Sequence, residues 1–230
     1  MEARRPPGGE ELLGVRGASR ASHGSWDRHG DVEQAVVRDR AAAGATVTGR
    51  GGHGGELFYA NGIRATSADR IIEQVGITKV TFYRHLRTKD DLVVAYLERT
   101  AGWERSAVSL ALEGRGAVDA LRAIAMSIGA DSCRPGFRGC AFINAAAEFP
   151  DAEHSVRIVV DAHRRWTLDV FTGLAVDAGV ADPGAVAGQL MMLRDGAMVS
   201  GYLSDPESIA EALGAAYLAV VEAGRHPQGA

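Results

Sequence analysis

Nowhere in its 230 residues does the chain carry an apolar run long enough to cross a bilayer, or the apolar core of a secretory signal. Neither a membrane span nor export is expected, and the cytoplasm is the expected compartment. Cysteine is nearly absent too: Cys133 and Cys140 are the whole supply, flanking a loop that holds Pro135, Gly136 and Gly139. In a reducing compartment they are expected as free thiols. No basic cluster that would activate them for a redox switch is legible, and a zinc site lacks the companion pair it needs. His154, His163, Asp161 and Glu148 fall at no spacing that assembles a nucleophile with its base or a set of metal ligands. Enzymatic activity, metals and cofactors are therefore not expected. Strand patterns are missing as well: everything after residue 56 reads as helix, which makes the chain all-α.

What is present is an ordinary globular composition, 46% hydrophobic and 23% charged, with room for one large or two modest domains. A net charge of −4 argues against nucleic acid if taken as a sum. Its distribution says otherwise, because Arg64, Arg70, Lys79, Arg84, Arg87 and Lys89 cluster in one stretch while the acidic excess lies after residue 100. A local basic face is enough for phosphate contact.

That stretch, Thr66 to Leu92, organises the chain. Thr66 and Asp69 have the spacing of a capping box and predict a helix start. Ala68, Ile71, Ile72 and Val75 share one face, and Gly76 is placed to end the helix in the left-handed region. Thr78 then caps a second helix, with Ile77 and Phe82 as a hydrophobic staple; Phe82 and Leu86 face inward, and Val80, Thr81, Tyr83, Arg84 and Arg87 face out. Such an outward face suits a major groove, since valine meets a thymine methyl, arginine forks onto guanine and hydroxyls hold phosphates. Thr88 with Asp91 makes a further capping box, which puts Lys89 in the first turn of a third helix, where free N–H groups favour an anion. Shape alone leaves function open, because capped amphipathic helices occur in any small helical bundle.

The run IRATSADRIIEQVGITKVTFYRHLRTKDDLV closely resembles, without a gap, the DNA-binding segment of TetR-type bacterial transcriptional regulators, down to the T-x-Y-x-H of the recognition helix and the lysine four residues later. The resemblance implies an all-α, TetR-like fold: a helix-turn-helix DNA-binding domain over 50–99, then a helical effector-binding and dimerisation domain over 100–224, with 225–230 as a tail. It implies that Thr78, Lys79 and Val80 touch bases or adjoining phosphates. Thr81, Tyr83, His85 and Lys89 would hold the backbone, with Ser67 on a further phosphate-facing edge. Arg84 joins them from the helical wheel. For Tyr83 and His85, packing at the rim of the small core is the alternative.

Residues 1–49, rich in Arg, Gly, Ala and Ser, read as a low-complexity, disordered extension. The family also begins with a helix beneath the helix-turn-helix, here over residues 50–60. Gly51, Gly52, Gly54 and Gly55 stand where the family has alanine and large aliphatics, each costing about 1 kcal/mol in a helix. That helix is accordingly truncated, or formed only with support from its neighbours, or the sequence ahead of Glu56 is not the natural one.

Beyond the head, Leu92, Val93, Tyr96, Leu97, Thr100 and Trp103 form an apolar stripe on a long connecting helix. Helices are predicted over 117–129, from Cys140 to Phe149 with Pro150 as the stop, and from Asp151 to about Val180. Asp182-Pro183 and Asp205-Pro206 start two more, Pro183 to Leu203 and Pro206 to Ala223. Both are apolar on more than one face and so need two partners. The resemblance supplies the second, a copy of the chain: Met192, Gly196, Val199, Leu203, Ile209, Leu213, Ala216, Tyr217 and Val220 are expected in a four-helix homodimer interface, burial within one subunit being the alternative.

A small-molecule effector pocket is likewise implied, with Phe142, Asn144, Glu148, His163, Trp166, Met191, Asp195 and Met198 as its expected residues, although a satisfied core histidine is the plainer account of His163 alone. The expected function is a sequence-specific regulator that binds a double-stranded, near-palindromic operator, a repressor released by its effector. The alternative is a dimeric small-molecule-binding protein whose DNA binding is impaired by the glycines of the first helix.

Overall fold

The computed structural model describes residues 53–225. The extension at 1–49, the Gly51-Gly52 step and the tail after Arg225 lie outside the described residues.

Among the described residues nine α-helices follow one another, with no strand. α1 (His53–Asn61) forms where the glycines made it doubtful, and tertiary support explains how. Phe58 is buried and its ring lies 5.9 Å from that of Tyr96. A Cβ on Gly55 would sit 2.7 Å from the Tyr96 ring, so this glycine is the slot into which a tyrosine fits. Gly62, at φ 89°, turns the chain into α2 (Ala68–Val75).

The start of α2 differs from expectation by one residue. Ser67 is the cap, its hydroxyl accepting from the Arg70 N–H, while Thr66 is fully buried and donates to the Gly62 carbonyl at 2.8 Å. A hydroxyl that can close the preceding turn is more use there than at an exposed helix end. Gly76 ends α2 at φ 72°, as expected. α3 (Lys79–His85) is capped by Thr78, and α4 (Lys89–Leu112) opens on the Thr88–Asp91 capping box.

Leu92, Val93, Tyr96 and Leu97 of α4 are buried against Ile71, Ile72, Phe82 and Leu86. Trp103, expected on the same stripe, is 62% exposed, because that turn of α4 borders an open cavity instead of packed side chains. α5 (Ala117–Ser132) packs mainly on α9 (Ile209–Arg225), reached through a 3-10 turn over Pro206–Ser208. α6 (Ala141–Glu148) and α7 (Ser155–Asp177) follow, and α7 lies along both α4 and α8 (Pro183–Leu203). The cap of α7 lies three residues later than expected. His154 caps it, and Asp151 instead closes a turn by accepting from the Glu153 N–H.

Two apolar clusters result. One runs from the head through Phe142, Ala145, Val156 and Val160, and the other joins α5, α7, α8 and α9 around Tyr217. No described helix is long and apolar enough to cross a membrane.

Where α5 and α9 cross, a Cβ on Gly129 would lie 2.9 Å from the Ala210 backbone, whereas at Gly102 on α4 nothing stands within 4 Å. Denaturant unfolding of Gly129→Ala is therefore expected to show a loss of about 1–3 kcal/mol from overpacking. Gly102→Ala is expected to gain about 1 kcal/mol from helix propensity.

Candidate nucleic-acid interface and effector cavity

The head presents α3 on a rigid base. Phe82 and Leu86 are 0% exposed, Thr78 accepts from the Thr81 N–H, and the αL turn at Gly76 brings α2 to α3 within three residues. With one face of α3 locked inward, the opposite face is committed to solvent: Val80 is 79% and Tyr83 48% exposed, and Lys79 and Arg84 are exposed beside them. Tyr83 stands edge-on to Phe82 with ring centroids 5.1 Å apart, so its hydroxyl is held out on a fixed ring. Lys79 reaches back to Asp69 at 2.9 Å, and that hydrogen bond holds its pKa above the ordinary lysine value. Lys79 is therefore charged at neutral pH, with the Asp69 carboxylate as its counter-ion.

The body holds a cavity of about 550 Å³ whose walls come from α1, α4, α5, α7, α8 and the loop leading into α6. Tyr59, Tyr96, Trp103, Phe137, Trp166 and Phe171 give it an aromatic lining. Two acid–base pairs punctuate that lining, Asp131–Arg134 at 3.3 Å and Glu104–Arg194 at 2.9 Å.

The second pair continues behind the wall. His163 Nε2 lies 3.1 Å from the same Glu104 oxygen, and Arg194 also meets Asp195, which in turn takes Arg164 at 2.7 Å. His163 is stacked on Phe142 at 3.7 Å, and its Nδ1 is buried without a partner. Burial works against the Glu104 anion. The His163 hydrogen bond and Arg194 outweigh it, and the carboxyl falls below its ordinary value.

The model of bacterial regulatory proteins of the TetR family matches residues 54–96. Over 84% of this chain and 97% of its own, SCO4454, a TetR-family transcriptional regulator from Streptomyces coelicolor, is 39% identical, with a TM-score of 0.72. The chain belongs to the TetR family.

Two further family structures share the fold at 22% identity. The first is a putative TetR-type regulator from Streptomyces avermitilis, with 82% of this chain and 97% of that one covered and a TM-score of 0.66. The second is a TetR regulator from Chloroflexus aurantiacus, with 83% and 96% covered and a TM-score of 0.62. No functionally curated protein matches the sequence. As a TetR-family member the protein is a DNA-binding transcriptional regulator.

The head residues expected to meet DNA do share one region of this TetR-family chain. Thr78, Lys79, Val80, Tyr83 and Arg84 are exposed on α3 or at its cap, and Thr81 is half-buried against Thr78. Ser67 is exposed at the α2 cap, and the side chain of His85 lies outside the described residues. Lys89 is half-buried, and its ammonium donates to the Arg64 carbonyl at 3.3 Å.

The expected effector residues divide differently. Trp166 and Met198 line the cavity. Phe142, His163 and Met191 do not, because they are buried in the layer behind it. Asn144 is exposed, with its amide given to the Arg138 carbonyl, and Asp195 is taken up by the two arginines. Glu148 faces the head instead of the cavity, accepting from the backbone of Ile63 and Arg64. Sequence periodicity missed Tyr59, Tyr96, Glu104 and Arg194. For Arg194 a signal existed, a lone arginine on an otherwise apolar face of α8 between Leu190 and Met198.

Because the Glu104 carboxyl is depressed in the folded state, its contribution is complete at neutral pH. It is lost only as pH falls through and below the ordinary carboxylate range. Glu104→Gln leaves the buried Arg194 cation with Asp195 as its remaining carboxylate and is expected to cost about 1–3 kcal/mol at neutral pH. Melting curves across pH are expected to converge with wild type toward strong acid.

Proposed function

We propose that the protein is a cytoplasmic homodimeric repressor that binds a near-palindromic operator through α3 and leaves it when a small aromatic or amphipathic effector fills the body cavity. The observation that carries the effector half is the cavity itself: about 550 Å³, aromatic-walled, with a few fixed polar groups. Ligand sites combine an apolar body with sparse anchors in this way. In the DNA half, Thr78, Lys79 and Val80 touch bases or adjoining phosphates, Val80 by apolar contact, whereas Thr81, Tyr83, Arg84, Lys89 and Ser67 supply hydroxyls and cations for the backbone.

The exposed apolar face of α8 supports the dimer. Met192, Val199 and Leu203 are 67%, 47% and 71% exposed, and Gly196 between them leaves room for close approach. Ile209, Leu213 and Tyr217 are withdrawn from this interface, since each is buried within one subunit, Leu213 and Tyr217 in the cluster that α9 forms with α5, α7 and α8. Ala216 and Val220 are half-buried. The outward face of α9 carries Ala212, Ala215 and Ala219, a flat surface on which another helix can pack.

Selection of bound DNA from a random pool is expected to return a palindrome, and a single unrepeated half-site would contradict the two-fold arrangement. On that palindrome, Tyr83→Phe and Arg84→Ala are expected to weaken binding to all sequences alike, with Arg84→Ala lowering the salt slope by about 1. Val80→Ala is expected to change which operator is preferred. Val199→Asp is expected to yield monomers by light scattering while helix content by circular dichroism is unchanged.

A further inference from the structure

The turn between α1 and α2 is gripped from three sides by groups outside the helix-turn-helix. The backbone N–H groups of Ile63 and Arg64 donate to the two carboxylate oxygens of Glu148, at 2.8 and 2.6 Å. The Arg64 carbonyl accepts from Lys89 at the start of α4, and the Arg64 guanidinium lies over the ring of Phe149, 5.9 Å from its centroid. One residue of the head is thus held at its N–H, its C=O and its side chain at once. A few residues earlier, the Tyr59 hydroxyl donates to the Gly139 carbonyl at 2.8 Å and accepts from the Arg138 N–H at 2.7 Å, while the Arg138 guanidinium donates to the Ala60 carbonyl. Across the α4 start, His154 meets Asp90 at 3.3 Å.

These contacts differ in kind from the apolar packing around them. Packed side chains tolerate small rotations of one element on another. A carboxylate receiving two adjacent backbone N–H groups is directional and charge-assisted, and it fixes an angle. Its position in the chain matters equally. Glu148 ends α6, Arg138 and Gly139 precede α6, and Gly139, Ala141 and Tyr59 all line the cavity. The cavity wall and the head's anchor are therefore built from the same short stretch of chain.

We propose that Glu148, with Tyr59, is the joint that sets the orientation of the DNA-binding head on the body. Glu148 is a positioning residue: it touches neither DNA nor the cavity. Tyr59 touches the cavity with its ring and the anchor with its hydroxyl. In the closed joint the two heads of a dimer are presented at one spacing. With the joint open, each head still folds and still fits a half-site, but the spacing is no longer enforced. This rests on the reading that two copies of α3 engage one operator.

The test uses the full chain and its selected palindrome, beside the same duplex with one base pair inserted at its centre, and a half-site duplex. Wild type is expected to lose about tenfold in affinity on the insertion, because half-site spacing is a geometric constraint. Glu148→Ala and Glu148→Gln are expected to shrink that difference to about twofold with half-site binding unchanged, and Tyr59→Phe to do so in part. A variant that keeps the full discrimination, or that loses half-site binding to the same degree, overturns the proposal, since the second result marks damage to the head itself.

A second measurement stands apart from DNA. Nitroxide labels at Glu73→Cys on α2 and Arg122→Cys on α5, both exposed, in a Cys133→Ser background that leaves only the buried Cys140, report head against body. A narrow distance distribution that broadens in Glu148→Ala supports the joint, and equal widths overturn it. If wild type binds no duplex at all, the operator reading falls, while the distance distributions still decide whether the joint exists.

Discussion

One helix serves two interiors. The first turns of α4 close the head's core with Leu92, Val93 and Leu97, and its later turns wall the cavity with Thr100, Glu104, Val108 and Ala111. Its 24 residues run without a break from one interior to the other. Tyr96 stands at the crossover, buried against Phe58 and filling the space that Gly55 leaves on α1. Remove that fit and the first helix loses the support that offsets its poor intrinsic propensity.

The body answers a second constraint, a cation inside a core. Arg194 is 5% exposed and would be costly alone. Its charge is distributed over Glu104 and Asp195, Asp195 is shared with Arg164, and Glu104 is shared with His163. The network ties α4, α7 and α8 together by directional bonds at the cavity wall. It adds geometric definition where apolar packing alone would allow the helices to slide, and it leaves the cavity with polar groups already oriented before any molecule arrives.

The helix-turn-helix was legible because its signals are local. Caps such as Thr78 and Asp182, the αL turn at Gly76 and the i, i+4 pair Phe82–Leu86 act within one or two turns of chain, and all stand where the pattern put them. Local signals failed where another partner, near or far in the chain, competed for the same group. Thr66 has the chemistry of a cap, but it found two carbonyls nearby and was buried. Asp151 likewise yielded the start of α7 to His154. Gly55 reads as a helix breaker in isolation and becomes a packing requirement only once Tyr96 is opposite.

From the sequence alone came the all-helical class, the boundaries of most helices, the family and the outward face of α3, because each depends on hydrogen bonds and periodicity within one element. Which apolar stripe meets the solvent was a tertiary matter: Met192 and Leu203 stayed outside, whereas Leu213 and Tyr217 went in, although all four are large, apolar and on helices of similar pattern. The cavity wall was settled the same way, as was the turn of Glu148 away from that wall toward the Ile63–Arg64 backbone. Such outcomes follow from contacts between residues far apart in the chain, 85 positions for Ile63 and Glu148, and no spacing along the chain encodes them.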